Sequence, residues 1–535
     1  MPRRLASVVR IDLTHDVEEG PSGPALFRTE SVTLYDLVEA IRRASSDRGI
    51  SGLFLKVDVP DLGWSKAESL HRAVRRFVAT GKPAVAFLSR CGNSSYLAGA
   101  AAGMVALDPS STLDLQALSS DGFFLKDLLG GLGVDPELDH IGEFKSSGEM
   151  FERRQASDAH RLQIDEILSD LHQQIVSCIS LSRGISLEAV TESIFQGPLL
   201  PEEALEKNLV DAIAESDRAE EIFEEKLGCR VRFLPHRRYL GKGRLRRRLW
   251  GWRRPRVALV HASGVITTGD ARRWYAGPRA IGARELTELF ATLRANRRVK
   301  AVVVRVESPG GGAAASDRIR RAILATARDK PVVVSMGDIA ASGGYYIATA
   351  ANAVVAEGLT LTGSIGVIGG KLVLRRLLDR LGIHHESRST GPNAGFFSPF
   401  RAFRPEERAR HGQFLRHFYE TKFLPAVAEG RSLALEQADA VGRGRVWTGR
   451  QARERGLVDV LGGLDDAIDR ACQSASLDRA RARVVVYAPR RKFRDLLLSG
   501  RVSSPMEYLG GALSLFEELA REELLLLTPR FFRIR

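Results

Sequence analysis

Ser342 stands in "GDIAASGGYYIA", Gly337 to Ala348, a run of Ala and Gly with no charge beyond Asp338. The preceding "KPVVVSM" is a β-branched run that predicts a buried strand. A hydroxyl among residues small enough for backbones to approach closely suits a nucleophile, and equally a residue that merely fills a tight turn. Two more turns share its chemistry. "VESPGGGAAAS", Val306 to Ser316, places Gly310, Gly311 and Gly312 between a predicted strand and a predicted helix. "TLTGSIGVIGG", Thr360 to Gly370, is a second Gly/Ser-rich turn. Such glycines admit positive φ, and their N–H groups can face an oxyanion. All three turns follow the carboxyl ends of predicted neighbouring strands, where open parallel sheets bind ligands. A nucleophilic serine needs a base. The Gly-x-Ser-x-Gly elbow fails here, because Ala340 stands where its first glycine belongs. His384, His385, His411 and His417 carry no triad context and read as surface or capping residues. The base is therefore sought among the lysines.

The elements that must position these residues alternate. "RVALVHASG", "VKAVVVRVES" and "KPVVVSM" read as strands, and "ARELTELFATLRANR" and "SDRIRRAILATARD" as amphipathic helices. The β-α-β-α-β order predicts a parallel sheet covered by helices. The chain also repeats itself. "ISGLFLKVDVP", ending at Pro60, resembles "VKAVVVRVESP", ending at Pro309, and "GKPAVAF" from Gly81 resembles "DKPVVVS" from Asp329. "EEALEKNLVDA" resembles "RQARERGLVDV", and "CRVRFLP" resembles "ARVVVYAP". A near-constant offset, 248 or 249 residues for the first three pairs, marks duplication of a whole domain. The boundaries read as a first half over 1–235, a basic Trp-containing linker over 236–256, a second half over 257–489 and a helical tail over 490–535.

The 535 residues carry a net charge of +14, which suits an anionic lipid surface or nucleic acid as partner. No zinc finger or RNA-recognition module accompanies the charge, so nucleic acid is not expected. The linker "RLRRRLWGWRRPR" fits peripheral contact with an anionic membrane. Cys91, Cys178, Cys229 and Cys472 are scattered, with no zinc or disulfide spacing. No signal peptide and no apolar run long enough to span a bilayer is seen. The expected location is bacterial and membrane-associated or cytoplasmic.

"RVESPGG", "KPVVVSMGDIAASGGYYIA" and "TLTGSIGV" together resemble the signal peptide peptidase A family of serine peptidases, and "GEFKSSGEMFERRQAS", Gly142 to Ser157, resembles its lysine region. The resemblance runs from about Phe27 to Pro489 and extends to the family's long, two-half form. It implies tandem Clp protease/crotonase-like α/β domains and a Ser–Lys dyad without cofactor or metal. Ser342 is then the nucleophile, Lys145 the general base, and Ser364 the hydroxyl that orients the lysine. Gly343 and either Gly311 or Gly310 are the oxyanion donors. Lys145 must be neutral to serve, and burial lowers a lysine's pKa; Phe144 and Met150 are the apolar neighbours in sequence.

Each half lacks what the other has. "VPDLG", Val59 to Gly63, replaces "SPGGG"; "CGNSSYLAG" replaces "AASGGYYIA"; and "SRSTGPNAGFFSPFRAF" in the second half has no lysine. A composite site is expected, with the halves meeting within one chain or between chains of a homo-oligomer, a tetramer by resemblance. Implied substrates are cleaved signal peptides or other extended apolar segments. The alternatives are an inactive membrane-associated scaffold and a crotonase-like acyl-CoA enzyme. Long-form relatives carry an N-terminal membrane anchor that this sequence does not show, so a cytoplasmic protein, a peripheral one or a start placed too late are the readings.

Overall fold

The computed structural model describes residues 5–20, 32–241, 254–269, 280–488, 525–527 and 533–534. The repeat in the sequence becomes two sheets with the same strand order. In the first half, strands run 231–235, 6–13, 52–57, 84–88, 104–107 and 212–213 across the sheet, every neighbour parallel. In the second half, the order is 483–487, 256–263, 299–308, 332–341, 353–356 and 460–461, again parallel. Central strands such as Val299–Ser308 are buried along almost their whole length, which is why they read as unbroken Val runs rather than alternating ones. The amphipathic helices Leu34–Ser46, Trp64–Val78 and Ala283–Ala295 lay their apolar stripes on these sheets.

A third sheet joins the halves. Asp135–Ile141 of the first half pairs antiparallel with Val367–Val373 of the second over seven residues, Ile141 opposite Val367 and Asp135 opposite Val373. The same sheet carries Gly310–Gly312 and, between that strand and Val367–Val373, the C-terminal strand Leu525–Leu527.

Several elements differ from their sequence reading. The strand begun by "VVVSM" runs on through Gly337–Ala341, because its second part finds a new partner in Leu361–Gly363. The helix expected from Ser316 starts at Ala313, directly after the glycines. His236–Gly241, read as linker, is a helix; Tyr239 is buried on the first half and donates its hydroxyl to Asp47 Oδ2 at 3.0 Å. The two linker tryptophans lie outside the described residues. Leu525–Leu527, read within a helical tail, is strand, since the edge of Gly310–Gly312 gives its backbone a ladder. The rest of the tail from 489 is outside the described residues, apart from Arg533–Ile534, which pairs with Ser120–Asp121 of the first half.

Candidate active site

Ser342 sits where the long strand Val332–Ala341 turns into the short helix Gly343–Ala348. Its backbone holds φ 54° and ψ −115°, a strained conformation for a residue with a β-carbon. The strand-to-helix elbow is thus present without the Gly-x-Ser-x-Gly sequence. Two bonds hold the turn: Ser342 N–H donates to Gly363 O at 2.8 Å, and Tyr346 N–H to Ser342 O at 2.8 Å. Gly343 and Gly344 are needed because a β-carbon on Gly343 would lie 2.7 Å from Ser316 Oγ and 3.2 Å from Gly311 N, and one on Gly344 2.6 Å from Ser308 O.

Lys145 comes from the other half of the same chain. It follows the strand Asp135–Ile141 through a turn in which Gly142 has φ 105°. Its Nζ lies 2.7 Å from Ser342 Oγ and donates to Ser364 Oγ at 3.0 Å and to Ser364 O at 3.1 Å. Lys145 is 2 % exposed, Ser342 0 % and Ser364 1 %. Among the described residues no carboxylate acts on the amine, and burial holds its pKa well below the ordinary lysine value. Of the apolar neighbours in sequence, neither is itself fully buried. Phe144 is half-buried with the Arg445 guanidinium 4.6 Å over its ring, and half-buried Met150 accepts Leu125 N–H through its carbonyl. Backbone closes in on the lysine as well: Gly444 packs so closely that a β-carbon there would lie 2.6 Å from Lys145 Cβ.

The glycine turn runs beside the serine. Gly310 N–H is given to Ser308 Oγ at 3.2 Å, while Gly311 N is the amide next to Gly343. The counterpart turn of the first half is closed upon itself: Ser94 Oγ donates to Asp61, one of the residues replacing glycine, and accepts Leu62 N–H at 3.0 Å.

Sequence reasoning missed a charge network beneath the serine turn. Arg305, Glu307 and Asp338 of the second half meet Glu19 and Lys66 of the first. Arg305 is fully buried and donates to both oxygens of Glu19, at 2.7 and 2.9 Å. Asp338 accepts Ser65 N–H at 2.7 Å at the start of a first-half helix, and Glu307 accepts Asp338 N–H at 2.6 Å. Burial and the neighbouring carboxylates of Asp338 and Glu19 push the Glu307 acid up to about 8. With Glu307 protonated, two cations balance two carboxylates. No sequence signal marks the network, because its members lie as far apart as Glu19 and Asp338.

The sequence profile of Peptidase family S49 matches residues 76–230 and 325–478, one stretch in each half. The chain belongs to Peptidase family S49. It is 34% identical over 451 residues to "Serine protease SPPA, chloroplastic" of Arabidopsis thaliana, covering 83% of this chain and 66% of that protein, just under two thirds of its length. It is 32% identical over 477 residues to "Protease 4" of Salmonella typhi, covering 85% of this chain and 74% of that one. Among solved structures, the 1510-N membrane-bound stomatin-specific protease in complex with a substrate peptide overlaps 46% of this chain at 16% identity, with a TM-score of 0.28. This S49 member is thus one of a serine protease family, built in the two-half form. Among the described residues no helix is long and apolar enough to cross a membrane.

Proposed function

We propose that this chain is a serine endopeptidase with a Ser342–Lys145 dyad assembled from both halves of one polypeptide. The observation that carries the reading is the 2.7 Å approach of Lys145 Nζ to Ser342 Oγ in a fully buried setting. Neutral Lys145 takes the hydroxyl proton as Ser342 Oγ attacks a peptide carbonyl, and returns it to the leaving amine. Ser364 directs the lysine lone pair by occupying its other contacts. Gly343 N–H and Gly311 N–H receive the developing oxyanion; Gly310 N–H is engaged with Ser308, which favours Gly311 over it. A water activated by the same lysine then releases the acyl group.

The substrates we assign are extended apolar segments, of which cleaved signal peptides are one class. The edge of Gly310–Gly312 already carries an antiparallel strand, Leu525–Leu527, and main-chain pairing on that edge is how an extended peptide would be held. We also propose self-association. Leu128 and Leu132 on one short helix and Leu381 and Ile383 beside another are 49 to 64 % exposed, and the two helices adjoin through Leu377 N–H donating to Gly133 O at 2.9 Å.

Cleavage of an internally quenched peptide with a leucine-rich core tests the reading. Wild type should cleave it, Ser342→Ala and Lys145→Ala should lose activity by a factor of about 10⁴ or more, and all three should sediment as the same species, larger than one chain. Retained activity in Lys145→Ala would place the base elsewhere. An inert wild type with a folded, assembled structure would favour the scaffold reading.

A further inference from the structure

A dyad split between two halves needs something that fixes the distance between them. The turn Gly442–Val446 of the second half meets both the lysine and the serine that orients it. Arg443 O accepts Phe144 N–H at 3.0 Å, directly before Lys145. Gly444 N–H donates to Ile365 O at 2.7 Å, and Arg445 O accepts Ser364 N–H at 2.7 Å, so the same turn holds Ser364 at its φ of 51°. Two glycines interlock across the seam. Gly444, at φ 81°, leaves no room for a β-carbon, which would lie 2.4 Å from Lys145 N and 2.7 Å from Lys145 Cα. Gly142, at φ 105°, faces back, and a β-carbon there would lie 2.3 Å from Arg443 C. The following side chain continues the grip. The Arg445 guanidinium stands 4.6 Å from the Phe144 ring and 4.5 Å from the Trp447 ring, and pairs with Glu166 of the first half. A planar guanidinium stacks on two rings in a way an ammonium does not.

We infer that Gly444 and Arg445 are positioning residues for the general base: their turn sets Lys145 Nζ against Ser342 and Ser364. This rests on the dyad reading above. The obstruction at Gly444 is lysine backbone, which cannot swing aside as a side-chain tip does. Carbon contacts relax only near 3.5 Å, so a methyl at Gly444 drives the Lys145 backbone back by roughly 1 Å. Nζ then leaves its places at 2.7, 3.0 and 3.1 Å, and a shift of that size costs about 100-fold in rate. Moved from its dry niche, the amine regains water, and its pKa returns toward the ordinary value.

The test compares wild type, Lys145→Ala, Gly444→Ala and Arg445→Gln on one fluorogenic peptide, recording kcat, KM, the acid limb of the kcat/KM profile and the melting midpoint. Gly444→Ala should lose about 100-fold in kcat with KM held within about twofold, and Arg445→Gln about tenfold. In both, the acid limb should move to higher pH. A merely structural role would lower the melting midpoint and leave the limb where it is. If Gly444→Ala does not fold, Arg445→Gln decides, since it leaves the turn's backbone unchanged. A shifted limb in either folded variant upholds the inference; an unmoved limb in every folded variant overturns it, whatever happens to kcat. An inert wild type or an active Lys145→Ala would instead strike the dyad reading itself.

Discussion

In the proposed dyad Lys145 is the residue on which the chemistry turns, and its burial has a cost that can be measured. Unfolded, its amine holds a proton up to about pH 10.4; folded, it gives that proton up well below the ordinary value. Between those two points the unfolded chain binds one proton more, so stability rises with pH by about 1.4 kcal/mol per unit from this group. Lys145→Met removes the term. Its stability relative to wild type should therefore grow as pH falls from 10 toward neutrality, read from urea midpoints across that range. A pH-independent difference would mean that Lys145 stays charged in the fold. At this scale the sequence offered Ser342 only as a hydroxyl in a Gly/Ala turn after a buried strand, a pattern that fits a turn residue equally; the resemblance of the surrounding motifs assigned it the nucleophile's role. Lys145 was legible only through a family resemblance: nothing in "GEFKSSGEM" tells a buried lysine from a solvated one.

At the scale of elements, the strands that carry Ser342 and the glycine turn are tied to the first half through Glu19, Lys66, Arg305, Glu307 and Asp338. Their contributions are unequal. Glu19→Gln leaves the buried Arg305 without its carboxylate and should cost about 3–5 kcal/mol. Glu307→Gln should be nearly neutral at acidic pH, because its acid, pushed up to about 8, already carries a proton in the fold. The sign follows from linkage. The folded state keeps a proton that the unfolded carboxyl loses near pH 4.5, so this group makes wild-type stability fall with pH up to about 8. Glu307→Gln should gain on wild type across that window, by chemical denaturation at several pH values; a constant gap would show Glu307 ionised in the fold. These elements also show where the sequence stops being readable. The parallel strands follow from local β-branched runs. The extension of Val332–Ala341 through Gly-Asp-Ile-Ala-Ala and the strand at Leu525–Leu527 follow from partners far along the chain. Nothing local in "VGRGRV" links it to Lys145; the ladder between Asp135–Ile141 and Val367–Val373 brings the lysine to it.

The whole molecule is a duplicated domain, and the proposed site takes its residues from both copies. The offset of 248 or 249 residues in the sequence reappears as two sheets of one strand order and as two family matches. The first copy has Asp61 and Leu62 where the second has glycines, and it carries the lysine; the second carries the serine and the glycine turn. The sequence left open whether the two contributions meet within a chain or between chains, because duplication alone does not say which surfaces join. The antiparallel ladder between the halves brings them together inside one polypeptide.

The central claim is that Lys145 of the first half activates Ser342 of the second. The most direct measurement is intact-mass labelling by a fluorophosphonate, a probe that needs an activated serine and no knowledge of the substrate. Wild type should gain one adduct per chain, mapped to Ser342, at a rate that rises with pH through the lowered pKa of Lys145. Lys145→Ala, folded to the same extent, should label slower by a factor of about 100 or more. Equal labelling of wild type and Lys145→Ala, or an adduct on any residue but Ser342, would contradict the account.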